Sequence, residues 1–454
     1  MRARIATSLK VSRISALLAA AALLGVLATT SIGAAAEGQT TKRVSVDSSE
    51  NQANASSIRP SISADGRFVA FSSEASDLVR NDTNGVRDVF VRNLRTGTTE
   101  RVSVSSSGRE ANGTSRYPSI NAGGRFVAFE SNAPDLVRND TNGAAYDVFV
   151  HNRHTGDTEL VSVDSYGSSD PRVQGNNSST RPSINGDGQT VAFDSLATNL
   201  EEEPDTNGRR DVFVHRRDTT ITYRASVSSL DREANGTSHS PSIDSSGSVV
   251  AFSSEATNLV GNDTNGDYDV FVRDQAPETT RRVSVSSSEN QANGSSDDAS
   301  ISADGRFVAF SSEASNLVRN DTNGVRDVFV RDLRTGTTRR VSVSSAGSQA
   351  NGTSRYPSIS ENGRFVAFDS RARNLVRDDT NGEYDVFVHD LQTGTTRRVS
   401  VSSSGNQGNA SSDNASLGYG GGLVAFASRA RNLVANDTNN AYDVFVHERN
   451  TTAP

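Results

Sequence analysis

Seven copies of one block, set 58 residues apart, constrain this chain more tightly than any other feature of it. The aspartate of each Asp-Thr-Asn stretch serves as a marker: Asp82, Asp140, Asp205, Asp263, Asp321, Asp379 and Asp437. Every step between them is 58 residues except one of 65, where extra residues fall within 165–178. Residues 61–99 and 300–338 differ only at Asp77/Asn316 and Asn93/Asp332. A unit copied this closely is not a set of unrelated domains, although 454 residues would hold roughly two or three. It is a repeat array, in which each unit buries its apolar face against its neighbours.

One unit reads as four strands. Residues 60–63 lead through an Asp65-Gly66 turn into 67–73; a long connection follows, then 88–94, a Thr96-Gly97 turn, and 99–106. Glycine in such turns accepts a positive φ without a Cβ clash. The middle strands are rich in Val and Phe, and the last alternates Val102/Val104 with Arg101/Ser103. A sheet apolar on both faces in its middle and polar at its outer edge is a propeller blade. The final repeat supplies three strands, at 415–417, 423–428 and 443–448, while 41–48 reads as a fourth strand without a blade. Pairing the two removes two open sheet edges. The expected fold is therefore all-β: a closed seven-bladed β-propeller over 37–454, four antiparallel strands per blade, the last completed by the N-terminal strand.

Residues 1–36 differ from the rest. Arg2, Arg4, Lys10 and Arg13 precede the apolar run 14–28 and the small residues at 33–36, which is the order of a secretory signal peptide cut after Ala36. Its loss would shift the net charge from −8 to −12, because it carries four basic and no acidic residues. An acidic product argues against nucleic acid or an anionic membrane as partner. With no cysteine, the chain has no disulfide, thiol nucleophile or Cys-linked lipid anchor. The expectation is an exported monomer, periplasmic or extracellular, not inserted in a membrane after cleavage.

The stretch around residues 60–73 resembles the WD40-like (PD40) repeat of TolB-like propellers, matching its pattern at Pro60, Ser63, Asp65, Gly66, Ala70 and Phe71. Close copies stand at 118–129, 182–193, 241–252 and 357–368, whereas Ala299 and Ala415 replace the leading proline in two repeats. The resemblance implies the propeller fold and leaves function open.

Alternation of strand direction puts the short turns on one face of the ring and the long connections on the other. Long loops on a rigid scaffold are where binding usually resides, so that face is the expected ligand-binding face, with Arg116, Tyr117, His239, Arg355 and Tyr356 as its candidates. The connections end in the repeated Asp-Thr-Asn turn. Asp82, Asn84 and Asp88 offer oxygen ligands suited to a hard cation such as Ca2+. So do Asp140, Asn142 and Asp147; Asp205, Asn207 and Asp211; and Asp263, Asn265, Asp267 and Asp269. The later copies bring Asp321, Asn323 and Asp327; Asp379, Asn381 and Asp385; and Asp437, Asn439 and Asp443. The same residue types form side-chain-to-backbone turns with no metal, and both readings stand.

Catalysis is less favoured. His151, His215, His389 and His447 occupy a place filled by Arg92, Arg273 and Arg331 in other repeats, which predicts a solvated or edge position. His239 is the best catalytic candidate, without a nameable partner. The chain has no tryptophan to stack on sugars. The favoured function is a non-catalytic binding or scaffold module for a protein or cell-envelope ligand; the alternative is an extracytoplasmic carbohydrate-active lyase or hydrolase with its site at the channel mouth.

Overall fold

The computed structural model describes residues 39–138, 140–164, 173–201 and 205–449, so the leader at 1–36 lies outside the described residues. Seven four-stranded antiparallel sheets follow one another in chain order. Blade one is Ser57–Ile62, Phe68–Ser73, Asp88–Asn93 and Thr98–Arg101. Blade seven is Ser412–Leu417, Leu423–Ser428 and Asp443–Glu448, and its outer strand is Thr40–Arg43, paired from Thr40 opposite Glu448 to Arg43 opposite Phe445.

The ring also closes on its inner side. The backbone N–H of Ile120 donates to Ser61 Oγ of the preceding blade at 3.2 Å. Equivalent bonds run from Ile184, Ile243, Ile301, Ile359 and Leu417, and Ile62 closes the circuit onto Ser416 at 3.2 Å.

Apolar side chains on the second and third strands point to opposite faces and meet different neighbours. Val69, Phe71 and Phe90 pack with Ala425 and Val444 of blade seven, while Phe68, Ala70 and Val89 pack with Ile120, Val127 and Phe129 of blade two. Within each blade two fully buried phenylalanines stack, as Phe71 and Phe90 do at 5.9 Å between centroids. Burial of each such ring stabilises by roughly 1.5–3 kcal/mol.

Two boundaries differ from the sequence reading. The first strand begins at Ser57, three residues before Pro60, because it contains a bulge: Ile58 pairs with Ser72 and Ser61 with Ala70, leaving one extra residue between them. The fourth strand ends at Arg101, because Ser103 turns inward and its hydroxyl donates to buried Asp88 at 2.5 Å.

The His/Arg position is not solvated. His151, His215, His389 and His447 are all buried, as are Arg92, Arg273 and Arg331. The reason is shared chemistry. Thr41 has one hydroxyl proton and gives it to the Val401 carbonyl at 2.5 Å, so the His447 Nδ1–H, 2.8 Å away, donates to Thr41 Oγ1. Arg92 donates to Thr99 in the same way, at 3.1 Å.

Burial pushes His447 and His151 down to about 4. Between about 6.5 and 4 the unfolded chain takes up protons that these native rings refuse, so their contribution is lost as pH falls through that window. Buried carboxylates pull the other way, because burial pushes Asp82 and Asp147 up to about 6 and Asp211 up to about 7. The histidine contribution is isolated by comparing His447→Gln with the parent in denaturant melts. The parent is expected to lose on the order of 3 kcal/mol relative to the variant from pH 7 to pH 4; a constant difference would reject it.

Candidate functional site

The bulge in each first strand shapes the channel. In all seven blades the residue just before the leading proline or alanine has a positive φ: Arg59 (55°), Tyr117 (53°), Arg181 (52°), Ser240 (53°), Asp298 (58°), Tyr356 (49°) and Asn414 (57°). This conformation costs roughly 1–3 kcal/mol for a non-glycine residue. Proline is accepted next to it because a bulge residue needs no ladder N–H. These seven residues and their neighbours line a central cavity of about 460 Å3.

Part of the cost is offset by carboxylates of the preceding blade. Arg181 N donates to Glu130 Oε2 at 2.7 Å, Ser240 N to Asp194 Oδ2 at 3.0 Å, and Asn414 N to Asp369 Oδ2 at 3.1 Å. The three acids are almost wholly buried. Burial raises Glu130 above the usual carboxylate range and raises Asp369 well above it. Glu130 and Asp194 also hold Arg116 (2.6 Å) and Arg210 (2.5 Å). Sequence reasoning missed these acids. The signal was present: in near-identical repeats, the positions equivalent to Ser72 read Ser, Glu, Asp, Ser, Ser, Asp and Ala.

Arg116, Tyr117 and His239 come together. With Thr180, Arg181 and Arg210 they line a recess of about 370 Å3, on the channel rim between blades two and four. His239 Nδ1 lies 3.0 Å from Ser240 Oγ and 3.4 Å from Arg181 Nη1, and its ring meets Tyr268 edge-on at 5.0 Å. Burial lowers its pKa, so it is a neutral hydrogen-bonding group at pH 7. Tyr356 lines the central cavity, 44% exposed, whereas Arg355 lies behind it with its guanidinium 4.0 Å over the Tyr384 ring. The face of Tyr117 is covered by the Arg59 guanidinium at 3.9 Å.

The Asp-Thr-Asn turns lie at the same end of the blades, since Ser57, Ser73 and Asp88 share one end of the register. Here the carboxylates already have partners. Arg101, from the fourth strand, reaches Asp82 (3.5 Å) and Asp88 (3.6 Å). Arg282 does the same for Asp263 and Asp269, Arg340 for Asp321 and Asp327, Arg398 for Asp379 and Asp385, and Arg43 for Asp437 and Asp443. Arg224 lies 4.0 Å from Asp211 and is paired with Glu233, whose carboxylate stands close to Asp205.

The asparagines face inward with nitrogen. Asn84 Nδ2 donates to Asp88 (2.7 Å) and to the Ala111 carbonyl (2.9 Å), while its Oδ1 accepts from Val86 N. Asn207, Asn265, Asn323, Asn381 and Asn439 repeat this, and Asp267 joins through its backbone N–H. In five blades a glutamine amide bridges the aspartates, as Gln174 Nε2 does to Asp140 (3.0 Å) and Asp147 (2.7 Å), and Gln291, Gln349, Gln407 and Gln52 likewise. Glu110 and Glu233 stand at that position elsewhere, so two groups, Asp82–Asp88–Glu110 and Asp205–Asp211–Glu233, have oxygens within 4.8 Å of one another and are able to hold a metal. Blade two departs from the rest: Leu160 replaces the arginine, the turn is one residue longer, and Asn142 Oδ1 has no donor among the described residues.

No protein-family model matches the chain, and no curated protein matches it. Among solved structures it is similar to an oligogalacturonate lyase in complex with manganese, at 11% identity over 91% of this chain and 93% of that one, TM-score 0.54. The β-propeller domain of the Trilobed protease from Pyrococcus furiosus is similar at 9% identity over 87% and 93%, TM-score 0.51. TolB from Acinetobacter baumannii aligns at 12% identity over 85% and 81%, TM-score 0.39. At such identities the first two likenesses speak for the fold alone. The chain is a seven-bladed β-propeller, and its repeats are consistent with the TolB-like, PD40 pattern.

Proposed function

We propose that this is an exported binding or scaffold module that holds a protein or cell-envelope component over the channel mouth and acts as a monomer. One observation carries the reading. Blades that are otherwise near copies differ where their first strands enter the channel, with Arg59, Tyr117, Arg181, Ser240, Asp298, Tyr356 and Asn414 at one structural position. Seven equivalent blades need no such differences to close a ring; an asymmetric ligand does. Export rests on the leader pattern at 1–36, and no helix among the described residues is long and apolar enough to cross a membrane.

Arg116→Ala/Tyr117→Ala and Arg355→Ala/Tyr356→Ala are expected to weaken partner binding about tenfold or more, as loss of arginine and tyrosine anchors does. Thr96→Ala, on the opposite face, is expected to leave it unchanged. Equal losses from both faces would reject the assignment.

Calcium suits the oxygen donors of the turns; beside the two three-carboxylate groups, blade two is a candidate, because no arginine among the described residues pairs with Asp140 or Asp147. The expected result is a rise in melting temperature in millimolar calcium, absent in Asp147→Asn, since a native-state ligand stabilises by mass action. Equal midpoints in calcium and in chelator would reject a metal role.

A further inference from the structure

Two of the seven inward-turned side chains are arginines whose hydrogen-bond partners are neutral. Arg59, in blade one, reaches Asn414 Oδ1 at 3.5 Å. Arg181, in blade three, donates to Ser240 Oγ at 2.9 Å and approaches His239 Nδ1 at 3.4 Å. Neither makes a direct ion pair among the described residues, although Asp194 and Glu130 act on Arg181 and Asp413 on Arg59 from farther off; Arg116 and Arg210 beside them are paired directly with Glu130 and Asp194. Tyr117 stands between the two: Arg59 stacks on its ring at 3.9 Å, and Arg181 interacts with its hydroxyl. On the far wall, blade five carries Asp297 and Asp298, which the sevenfold order sets across from blades one and two. The two guanidiniums that lack a direct carboxylate partner therefore stand in blades one and three, apart from the Asp297–Asp298 pair of blade five.

This arrangement is unusual in a chain of net charge −8. At physiological salt the acidic remainder is screened beyond about 8 Å, so an approaching anion responds to the local arc and not to the whole molecule. Each guanidinium presents a fork of donors that matches carboxylate and phosphate. The bulge conformation holds both arginines pointing inward before any ligand arrives, which lowers the ordering cost of binding.

We propose that the part of the central cavity lined by Arg59, Tyr117 and Arg181 receives an anionic group, carboxylate or phosphate, of the channel-mouth ligand. The proposal rests on the channel-mouth reading and narrows its ligand class.

The test uses calorimetric titration of the full mature chain with inorganic phosphate, glucuronate and glucose at fixed ionic strength. The variant is Arg59→Asn/Arg181→Asn, because Asn414 already occupies the equivalent position at positive φ (57°) and the fold tolerates it there. The expected result is saturable binding of one anion per chain, no binding of glucose, and a loss of about tenfold or more in the variant at an unchanged melting temperature. Phosphate alone would identify a phosphorylated ligand and glucuronate alone a carboxylated one. Asp298→Asn, on the far wall, is expected to bind the anion no more weakly than the parent.

Equal anion binding by parent and double variant would overturn the proposal, as would no anion binding by the parent. Glucose bound as tightly as glucuronate and lost in Tyr117→Ala would also overturn it, while leaving the channel mouth as the site. Partner binding indifferent to Tyr117 and Tyr356 would instead remove the channel-mouth reading itself.

Discussion

A chain begun at Ser48 will melt far below the parent and will bind hydrophobic dyes at ambient temperature. The truncation removes the outer strand of blade seven, leaving Asp443–Glu448 with an unpaired edge. It also removes Val44, fully buried in the core between blades seven and one, and Val46, 3% exposed. Their loss costs about 2 kcal/mol each. Buried Asp443 then loses the Ser45 hydroxyl (2.6 Å) and Arg43 (3.4 Å). Stripping partners from a buried carboxylate adds roughly 3 kcal/mol or more. The sum, about 7 kcal/mol, is a large part of the 5–15 kcal/mol typical of a domain. A synthetic peptide of residues 40–48 added in trans should restore the melt. An unchanged midpoint in the truncated chain would show that closure contributes little.

Gly124→Ala should be nearly as damaging, and its comparison with Gly85→Ala separates two causes. Both glycines have positive φ, +69° and +67°. At Gly85 an added Cβ meets nothing within 4 Å, so only the backbone penalty of about 1 kcal/mol applies. At Gly124, in the turn between the first two strands of blade two, the Cβ would lie 2.2 Å from Phe68 Cδ2 of blade one. Phe68 must move, and overpacking adds about 1–3 kcal/mol. Gly188 against Phe126 and Gly363 against Phe307 repeat the contact. The expected loss in denaturant melts is about 2–4 kcal/mol for Gly124→Ala and about 1 kcal/mol for Gly85→Ala. Equal losses would mean that the turn glycines serve conformation alone and not the seam between blades.

The repeat period and the apolar strands were legible because they reflect local pattern: period-two alternation, turn glycines and a count of seven. What was not legible depends on contacts between segments far apart in sequence. The Asp-Thr-Asn turn reads equally as a cation loop or a side-chain turn, and sequence gives no sign of Arg101, from the fourth strand, between Asp82 and Asp88. The His/Arg position reads as exposed until its threonine partner is known. A covariation within the chain carried that signal. Where the third strand has Arg92, Arg273 or Arg331, the loop that meets it supplies Glu50, Asp231 or Glu289. Where it has His151, His389 or His447, the equivalent loop position is Gly108, Gly347 or Gly405. At this loop position, among the described residues, an acid at positive φ stands only where an arginine meets it.

The channel residues were partly legible. The long-loop face offers Arg116, Tyr117, His239, Arg355 and Tyr356 as candidates; Arg116, Tyr117, His239 and Tyr356 stand at the channel mouth, and Arg355 packs on Tyr384. Arg59, Arg181 and Asp298 give no such sign, because they lie inside first strands and not in the long loops. The proline after each of these positions is usually a sign of extended backbone before it. In this fold the leading proline marks a bulge that turns the preceding side chain inward.

Site-specific photo-crosslinking on the intact protein tests the channel-mouth assignment most directly. A photoreactive phenylalanine analogue replaces Tyr117 in one variant and Thr96 in another, on opposite faces of the same ring. The account predicts that the partner is trapped from position 117 and not from position 96. Trapping from 96 alone, or equally from both, would contradict it.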